Sequence, residues 1–295
     1  MHRKMLFIIN PKAGKKRGES LIPIIHKKLL GKISFEIKLW NKLDELSNLI
    51  NKLKKEGFTD AVAVGGDGTV NLIAQHLVNS TILFGIIPTG SGNGLARSLD
   101  IPMDPEDAIN TLFKNNIRSI DSGTINNSPF FCTSGLGFDA HIGHLFATSV
   151  KRGLISYIKI ISKEFRKYKS ISYKLKVDGV DIDREAFLIT IANAGQYGNN
   201  FYIAPQAKMT DGKFNLVILR SFNFLEVFGL LYYILSRRAD RSSLIESFEC
   251  TNIIIERSQA DYIHFDGEPK KEGEIIEVKI LPLSIRVLTG DNFMD

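Results

Sequence analysis

The chain has 295 residues, 44% of them apolar and 24% charged, and 38 basic against 32 acidic side chains give a net charge of +6. This composition excludes wholesale disorder, because it supplies enough apolar surface for a core. A chain of this length usually folds as two domains. Its two cysteines, Cys132 and Cys250, are too few for a disulfide framework and are typical of reduced, buried thiols in a cytosolic protein.

No segment has the pattern of a signal peptide or a membrane span. The apolar run Met5 to Ile9 is shorter than an export signal requires. The most apolar stretch, Phe222 to Leu235, is interrupted by Asn223, Glu226 and Gly229, and it is shorter than the roughly 20 residues that cross a bilayer. We therefore expect a cytoplasmic protein that is able to associate peripherally with a membrane.

The first part of the chain alternates between strand and helix patterns. In chain order, the apolar spacing predicts a strand at 5–9, a helix at 21–29, a strand at 33–39, a helix at 43–53, a strand at 61–64, a helix at 70–77, a strand at 82–87 and a helix at 104–113. Asp104 and Pro105 suit the start of the last helix as N-cap and first-turn proline. Alternation of this kind predicts an α/β domain with a parallel sheet covered by helices.

After Asp121, short strands separated by turn residues dominate. The predicted strands are 173–177, 180–182, 186–191, 214–219, 252–255, 262–265, 275–280 and 285–288. Asp178-Gly179 is a strong signal for a hairpin turn between the first two. The sequence therefore predicts an α/β domain over residues 1–122 and a β-rich sandwich domain over residues 123–295, from which the last strand is able to return to the first domain.

Three glycine-rich or basic segments, residues 10–16, 65–71 and 89–93, each follow a predicted strand of the first domain. The carboxyl ends of parallel strands meet at one edge of a sheet, where ligands bind. Glycines let main-chain N–H groups approach phosphate oxygens, and a following helix N-terminus attracts anions. One such loop is usually a plain turn, but three at equivalent strand ends predict a polyphosphate site.

Two common nucleotide motifs do not explain these loops. The sequence lacks the G-x-x-x-x-G-K-[ST] pattern of P-loop proteins. Residues 135–140 match G-x-G-x-x-A, but they lie in the β-rich half and precede a basic helical pattern, so we interpret the match as unrelated to dinucleotide binding.

Several motifs occur together in one order along nearly the whole chain. They are Asn10-Pro11 with Gly14, Gly-Gly-Asp-Gly-Thr at 65–69, Pro-x-Gly-Ser-Gly-Asn at 88–93, Gly-Leu-Gly-Phe-Asp-Ala at 135–140, Ala204-Pro205 with Asp211-Gly212, and Asp266-Gly267-Glu268. In this combination the sequence resembles the diacylglycerol-kinase catalytic-domain family, which includes bacterial soluble lipid kinases and the sphingosine and ceramide kinases.

The resemblance implies a role for each matched position. The implied ATP-phosphate ligands are Asn10, Pro11, Lys12, Ala13, Gly14, Gly65, Gly66, Asp67, Gly68, Thr69, Val70, Asn71, Ser91 and Asn93. Asp67 is implied to bind the catalytic Mg²⁺ or to assist deprotonation, and Asp266 or Glu268 to be the base for the lipid hydroxyl. Lys208, Asp211 and Lys213 match a second, structural Mg²⁺ site, in which the aspartate and two flanking carbonyls are the ligands.

This sequence departs from the family pattern at several positions. Ser91 and Gly94 stand where bacterial members usually carry Thr and Asp, so residues 90–93 are closer to the sphingosine-kinase pattern. Trp40 stands where a nucleotide-contacting threonine is common. These departures agree with ATP binding and leave the identity of the lipid open.

The same carboxylates are suited to phosphoryl transfer on chemical grounds alone. Transfer to an alcohol needs positioning, charge neutralisation and a proton acceptor. Asp67 offers oxygen to a Mg²⁺ ion, and Asp266 and Glu268 lie two residues apart, on one face of an extended chain. Taken alone, Asp-Gly between two strands more often forms a plain hairpin turn.

Residues 151–169 carry a strongly basic pattern, with seven Lys or Arg residues and one acid, Glu164. Leu154, Ile158, Ile161, Phe165 and Tyr168 recur at helical spacing. A basic amphipathic helix suits an anionic membrane surface. The alternative is a helix packed on the β-rich domain with a solvated basic back.

The sequence thus predicts an ATP- and Mg²⁺-dependent lipid kinase that meets its lipid at a membrane surface. The rival enzyme is an NAD kinase, which shares Gly-Gly-Asp-Gly but calls for an Asn-Glu dipeptide that this sequence lacks. The rival of another class is a non-catalytic lipid- or nucleotide-binding module. We expect no nucleic-acid partner, and a homodimer is compatible with the sequence.

Overall fold

In the computed structural model, which describes residues 3–11, 17–149, 154–198 and 200–293, the chain divides into two units. The first contains residues 1–121 and 283–295, and the second contains residues 122–282. Strands Ile117–Ile125 and Ile275–Leu288 carry the chain from one unit into the other.

Strands and helices alternate through the first unit. In chain order they are β1 Lys4–Ile9, α1 Arg17–Ser20, α2 Ile22–Leu29, β2 Ser34–Leu39, α3 Leu43–Lys55, β3 Asp60–Gly65, α4 Asp67–Gln75, β4 Leu83–Pro88, α5 Gly94–Ser98, α6 Pro105–Thr111 and β5 Ile117–Ile125. The predicted start of α6 is confirmed, because the Asp104 side chain accepts hydrogen bonds from the main-chain N–H groups of Glu106 at 2.9 Å and Asp107 at 3.2 Å.

The sheet of the first unit is parallel, as predicted. Its strands lie in the order β2-β1-β3-β4, and the end of the last strand of the chain pairs with β4 through Arg286 and Val287. Strands β1, β3 and β4 are almost entirely buried, and apolar helix residues such as Ile25, Leu46 and Ile73 cover them. This burial on both faces explains the uninterrupted apolar runs in their sequences.

The second unit is built mainly from strands. Its elements are β6 Ser128–Phe130, β7 Thr133–Gly137, α7 Phe138–Thr148, α8 Leu154–Phe165, β8 Ile171–Val177, β9 Val180–Ala186, β10 Leu188–Ala192, β11 Phe214–Leu219, α9 Glu226–Leu235, β12 Ile245–Cys250, β13 Asn252–Arg257, β14 Asp261–Phe265, β15 Glu268–Glu272 and β16 Ile275–Leu288. A single 3₁₀ turn, Ala239–Arg241, follows α9.

Two antiparallel sheets enclose the core of this unit. One has the order β12-β11-β10-β7-β14-β15, and the other joins the first part of β16 to β13, β8 and β9. Both contribute to one buried cluster, which includes Leu136, Ile189 and Phe214 from the first sheet and Leu175 and Ile255 from the second. This arrangement is the predicted β sandwich.

One of two chain reversals or breaks expected from the sequence, the hairpin at Asp178-Gly179, is present, and the break expected between residues 280 and 285 is absent. The predicted hairpin at Asp178-Gly179 is confirmed, since both residues have positive φ, 47° and 91°, and join the antiparallel strands β8 and β9. The predicted strands 275–280 and 285–288 are instead one strand, β16. Leu283 within it has φ of 48°, and its main-chain N–H donates to Asp121 Oδ1 at 2.7 Å.

Helix α8 packs on the second unit by its apolar side, which is the structural alternative raised for residues 151–169. Ile161, Phe165 and Tyr168 contact a cluster that contains Phe138 and Phe187. Lys151 and Arg152 of the basic segment lie outside the described residues. The exposed basic residues of the remainder are Lys159, Lys163, Arg166, Lys167 and Lys169.

Candidate active site

The glycine loops of the first unit meet at the carboxyl ends of β1, β3 and β4. The Asn10 N–H donates to Val64 O at 3.3 Å, and the Thr89 N–H donates to Gly65 O at 2.9 Å, so the three strand ends are tied together. The Asn10 side chain also donates to Thr69 Oγ1 at 3.0 Å, which connects the first loop to α4. The predicted convergence is therefore observed for residues 10–11, 65–71 and 89–93, while residues 12–16 of the first loop lie outside the described residues.

Asp67 joins the second loop to the third. Its Oδ2 accepts the main-chain N–H of Asn93 at 2.8 Å, and its Oδ1 accepts that of Gly94 at 2.6 Å. Both oxygens thus hold the beginning of α5. A carboxylate has about four lone-pair positions, so each oxygen retains capacity for one further donor or cation.

The two loops also touch through their main chains. A Cβ atom placed on Gly90 would lie 2.7 Å from the Cα of Gly66, and a Cβ on Gly92 would lie 2.7 Å from Asp67 Oδ2. No side chain fits at these distances. Glycine at 90 and 92 therefore serves loop-to-loop packing as well as any approach to a ligand.

Asn93 fixes the shape of the third loop. It has left-handed backbone geometry with φ of 53°, which asparagine tolerates better than most residues. Its side chain accepts the Gly90 N–H at 3.0 Å and donates to Gly90 O at 2.9 Å. This pair of bonds closes residues 90–93 into a rigid turn.

These loops line a cavity of about 420 Å³ in the first unit. The lining residues are Asn10, Trp40, Gly66, Asp67, Gly68, Thr69, Leu72, Gly90 and Ser91. The first turn of α4 forms one wall, so the positive end of a helix of nine residues lines the cavity. Exposed loop main chain beside a helix N-terminus is an arrangement that binds phosphate.

The structure separates the predicted phosphate ligands into three groups. Asn10, Gly66, Asp67, Gly68, Thr69 and Ser91 line the cavity. Pro11, Gly65, Val70, Asn71 and Asn93 are not among its lining residues, and the last three are buried supports. Lys12, Ala13 and Gly14 lie outside the described residues.

Sequence reasoning missed Leu72 in the wall of this cavity, and it noted Trp40 only as the replacement of a nucleotide-contacting threonine. Leu72 lies one turn into α4, and its signal is the helical offset of three residues from Thr69. Trp40 is 7% exposed, and its indole N–H has no hydrogen-bond partner among the described residues. A buried donor of this kind at a cavity wall is suited to a ligand oxygen.

Asp266 and Glu268, in the second unit, have different environments. Asp266 and Gly267 have φ of 49° and 85° and form a two-residue turn between Phe265 and Glu268, so the segment is a hairpin turn in geometry. Asp266 Oδ2 accepts the N–H of Phe131 at 2.8 Å, and Oδ1 accepts those of Cys132 at 2.7 Å and Thr133 at 3.0 Å.

Burial raises the pKa of the Asp266 carboxyl to about 6, and the three main-chain N–H donors oppose that rise without cancelling it. Glu268 is exposed at the start of β15. The two carboxylates therefore differ in exposure: Asp266 is partly buried and accepts three main-chain N–H groups, whereas Glu268 is accessible to a substrate.

A polar cluster lies next to this turn. A ring nitrogen of His264 is 2.9 Å from Asp139 Oδ2, and the hydroxyl of Tyr197 donates to the same oxygen at 3.3 Å. Thr190 contacts both Asp139 and Tyr197. The match at residues 135–140 thus supplies a carboxylate to the second unit, while Gly135 leaves room for it, since a Cβ there would lie 2.8 Å from Asp139 Oδ2.

The predicted second metal site has one carboxylate. Asp211 is exposed, its Oδ1 accepts the Lys213 N–H at 3.0 Å, and Gly212 has φ of 71°. Lys208 is exposed, and the Lys213 ammonium lies 2.7 Å from Glu249, so neither lysine side chain is a ligand. Among the described residues, no three His, Cys, Asp or Glu side chains converge on one point.

This donor set fits Mg²⁺ without a cluster of side chains. Mg²⁺ keeps several waters and binds through one or two carboxylates together with carbonyl or phosphate oxygens. Asp67 with the phosphates of a nucleotide, and Asp211 with neighbouring carbonyls, would each supply such oxygens.

The comparisons with known proteins agree with this geometry. Residues 4–125 match the model of the diacylglycerol kinase catalytic domain, and residues 133–289 match that of the YegS C-terminal NAD kinase beta sandwich-like domain. The chain belongs to the diacylglycerol kinase catalytic-domain family. The resemblance inferred from its motifs is therefore confirmed.

Relatives of this family member come from several bacteria. An uncharacterized protein of Synechocystis sp. is 28% identical across 95% of this chain and 69% of its own length. A protein of Chromohalobacter salexigens named "Probable lipid kinase YegS-like" is 28% identical across 75% of this chain and 73% of its own length. A diacylglycerol kinase of Staphylococcus aureus is 24% identical across 77% of this chain and 74% of its own length.

A solved structure shows the same fold. The crystal structure of a diacylglycerol kinase from Bacillus anthracis str. Sterne matches with a TM-score of 0.79 at 20% identity, over 99% of this chain and 98% of that chain. At this identity the likeness concerns the fold alone. In the part of the chain that the structure describes, no helix is both long and apolar enough to cross a bilayer.

Proposed function

We propose that this protein is an ATP- and Mg²⁺-dependent lipid kinase, which transfers the γ-phosphate of ATP to the hydroxyl of a diacylglycerol-like or sphingoid-like lipid. The observation that carries the proposal is the cavity at the strand ends, which two glycine loops, a helix N-terminus and Asp67 line together. Family membership makes a phosphotransferase reaction the expected use of such a cavity.

The first unit would hold the nucleotide phosphates. Gly66 and Gly90 bring main chain to the cavity wall, and the first turn of α4 adds the partial positive charge of a helix N-terminus. Asn10 and Ser91 offer side-chain donors at the same wall. Lys12, Ala13 and Gly14 complete the proposed ligand set from the sequence.

Asp67 would have two tasks. It keeps the third loop in place through the N–H groups of Asn93 and Gly94. Its remaining lone pairs would bind Mg²⁺, directly or through water, and the ion when bound neutralises phosphate charge. Asp211 would hold the second, structural ion.

Glu268 is the residue that we assign as the base for the acceptor hydroxyl. It is exposed, whereas Asp266 is partly buried and accepts three main-chain N–H groups. Asp266 would act as a positioning residue, because it fixes the turn from which Glu268 begins β15. A positioned carboxylate base contributes on the order of 10²–10⁴ in rate.

A lipid acceptor is supported by the names of relatives that span most of this chain. One is named as a lipid kinase and another as a diacylglycerol kinase. Because ATP is the proposed donor, we place the reaction in the cytoplasm, at a membrane surface that contains the lipid.

The experiment that tests the proposal is phosphorylation of a panel of acceptors with labelled ATP. The panel contains diacylglycerol, phosphatidylglycerol, sphingoid bases and NAD, and it is run with wild type and with Glu268→Gln. Labelled lipid that depends on Glu268 is the expected result. Label on NAD alone would replace the proposal with an NAD kinase. Nucleotide binding without transfer to any acceptor would replace it with a nucleotide-binding module.

Nucleotide binding has a readout that is independent of turnover. Trp40 is the only tryptophan in the sequence and lines the cavity. Titration with ATP should therefore change the intrinsic tryptophan fluorescence. The change should be absent in a folded Gly90→Ala protein, in which the added methyl group separates the glycine loops.

A further inference from the structure

Helix α9 of the second unit presents a wide apolar face to solvent. The exposed side chains of α9 and of the turn before it are Phe224 at 60% exposure, Leu225 at 79%, Phe228 at 64%, Leu231 at 37%, Tyr232 at 60% and Leu235 at 55%. Single exposed apolar residues are ordinary, but a contiguous set on one helix is typical of an interaction surface.

The exposed residues form one side of the helix. At 3.6 residues per turn, the helical positions 228, 231, 232 and 235 fall within an arc of roughly 100°, and residues 224 and 225 lie in the turn just before them. Leu230 and Ile234 on the other side are buried, and they belong to the cluster that Phe165 of α8 also contacts. One side of the helix therefore packs on the core of the second unit, and the side chains of the opposite side remain exposed to solvent.

The helix is also fixed at its beginning. Asn223 Oδ1 accepts the N–H groups of Leu225 at 2.9 Å and Glu226 at 3.1 Å, and the Asn223 N–H donates to Glu226 Oε2 at 2.7 Å. These reciprocal bonds form a capping box. The rings of Phe224 and Phe228 lie edge to face with centroids 5.8 Å apart. The apolar surface is thus preformed and needs no folding on binding.

The charged residues after α9 and those of α8 are mostly basic, and Asp240 is the exposed acid among residues 237–241. Glu226 is the one charged residue between positions 224 and 235, and its carboxylate is engaged in the cap. Exposed arginines follow the helix at 237, 238 and 241. Helix α8, which shares the buried cluster, exposes Lys159 and Lys163, and the turn that follows it exposes Arg166 and Lys167.

From this combination we infer that α9 is an interfacial helix, which inserts its apolar face into an anionic bilayer surface while the basic side chains of α8 and of residues 237–241 contact the lipid headgroups. Helices that lie in the membrane interface combine an apolar face with Lys and Arg at its border. A second copy of this chain is a poorer occupant, because it would bring the same cations against one another. The inference rests on the proposed function in one respect: it supplies the route by which a lipid kinase reaches its acceptor.

The test compares three proteins on vesicles of phosphatidylcholine with and without phosphatidylglycerol. The test variant carries Phe224→Ser, Phe228→Ser and Leu235→Ser. The matched control carries Val180→Ser and Ile275→Ser, which replace exposed apolar residues of the same unit outside α9. We expect the partition coefficient on anionic vesicles to fall at least tenfold for the α9 variant and to stay within twofold of wild type for the control.

Depth is measured directly with Phe228→Trp in a Trp40→Phe chain, whose single tryptophan should be quenched by lipids brominated on their acyl chains. Equal vesicle binding by wild type and the α9 variant, or no quenching at position 228, would overturn the inference. If the wild-type protein does not bind vesicles but forms a dimer, and the α9 variant is monomeric, a second copy of the chain is the occupant. This result would also overturn the inference.

A short-chain acceptor that dissolves as monomers separates this inference from the proposed function. The α9 variant should phosphorylate it at the wild-type rate, because the variant changes neither the cavity nor the Asp266 turn. Vesicle binding without phosphorylation of any lipid would defeat the proposed function and leave the interfacial helix intact. Phosphorylation of the soluble acceptor without vesicle binding would support the proposed function and overturn the interfacial helix.

Discussion

The carboxylate of Asp67 accepts the main-chain N–H of Asn93 at 2.8 Å, so a side chain from one glycine loop holds the main chain of the next. The two residues are 26 positions apart and follow neighbouring parallel strands. This bond couples the shape of the proposed phosphate site to the identity of residue 67.

Asp67→Asn should weaken nucleotide binding and raise the Mg²⁺ concentration required for turnover. The amide nitrogen cannot accept, so either the Asn93 or the Gly94 N–H loses its partner at a cost of about 1–3 kcal/mol. Turnover measured across a Mg²⁺ titration, together with ATP calorimetry, tests this. Asp104→Asn is the matched control, because asparagine caps α6 as well as aspartate does. An active Asp67→Asn protein with wild-type Mg²⁺ dependence would remove Asp67 from the proposed metal site.

Gly90→Ala should lower ATP affinity at least tenfold in a folded protein. The new methyl group would lie 2.7 Å from the Cα of Gly66, and main chain cannot yield as a side chain can, so the two loops must separate. Trp40 fluorescence reports ATP binding, and circular dichroism reports the fold. Gly143→Ala in α7 is the control, since its Cβ meets nothing within 4 Å. Wild-type ATP affinity in Gly90→Ala would show that loop contact is unnecessary for binding.

Glu268→Gln should lower kcat by about 10²–10⁴ and leave ATP affinity unchanged, because the amide cannot take a proton from the acceptor. Steady-state kinetics and ATP calorimetry measure the two quantities separately. Glu274→Gln, at another exposed position of the same unit, should behave as wild type. If Glu268→Gln retains wild-type turnover, the turn at 266–268 is structural and the base lies elsewhere.

Asp266 should make the stability of the protein fall as pH rises from about 4 to about 6. Its folded pKa is about 6, above the unfolded value of 3.8, so the folded state binds more protons in this window. The ionised group thus opposes folding above pH 6 by about 3 kcal/mol, and this opposition disappears below pH 4. Urea unfolding of wild type and Asp266→Asn at several pH values measures the difference. A difference that is constant between pH 4 and 7 would contradict the raised pKa.

Reversal of four charges in α8 and the turn after it should weaken binding to anionic vesicles and flatten its dependence on salt. Lys159, Lys163, Arg166 and Lys167 are exposed, and each basic residue near an anionic surface contributes about 1 kcal/mol. Co-sedimentation at several salt concentrations measures the effect. The control reverses Lys27, Lys55, Lys174 and Lys176, which are also exposed and change the net charge equally. Equal losses in both variants would show that net charge matters and α8 does not.

Local patterns in the sequence determined much of the fold. The alternation of buried strands with helical stripes predicted the parallel sheet of the first unit, because burial on both faces imposes apolar runs on its strands. The Asp178-Gly179 pair predicted its hairpin, because few residues accept positive φ at both turn positions. The glycine loops and the Asp-Gly-Glu motif could also be recognised from the sequence, because each motif is defined by residues that are neighbours in the chain.

Only the tertiary structure distinguished the carboxylates from one another. Asp266 and Glu268 are two residues apart, yet the first accepts three N–H groups from residues more than 130 positions away and the second is exposed. Likewise, β16 continues through Leu283 because Asp121 binds its N–H, and α9 keeps an apolar face outside because Leu230 and Ile234 already fill the space beneath. These features depend on contacts between residues that are far apart in the chain. Tertiary packing determines those contacts, and local sequence patterns do not specify them.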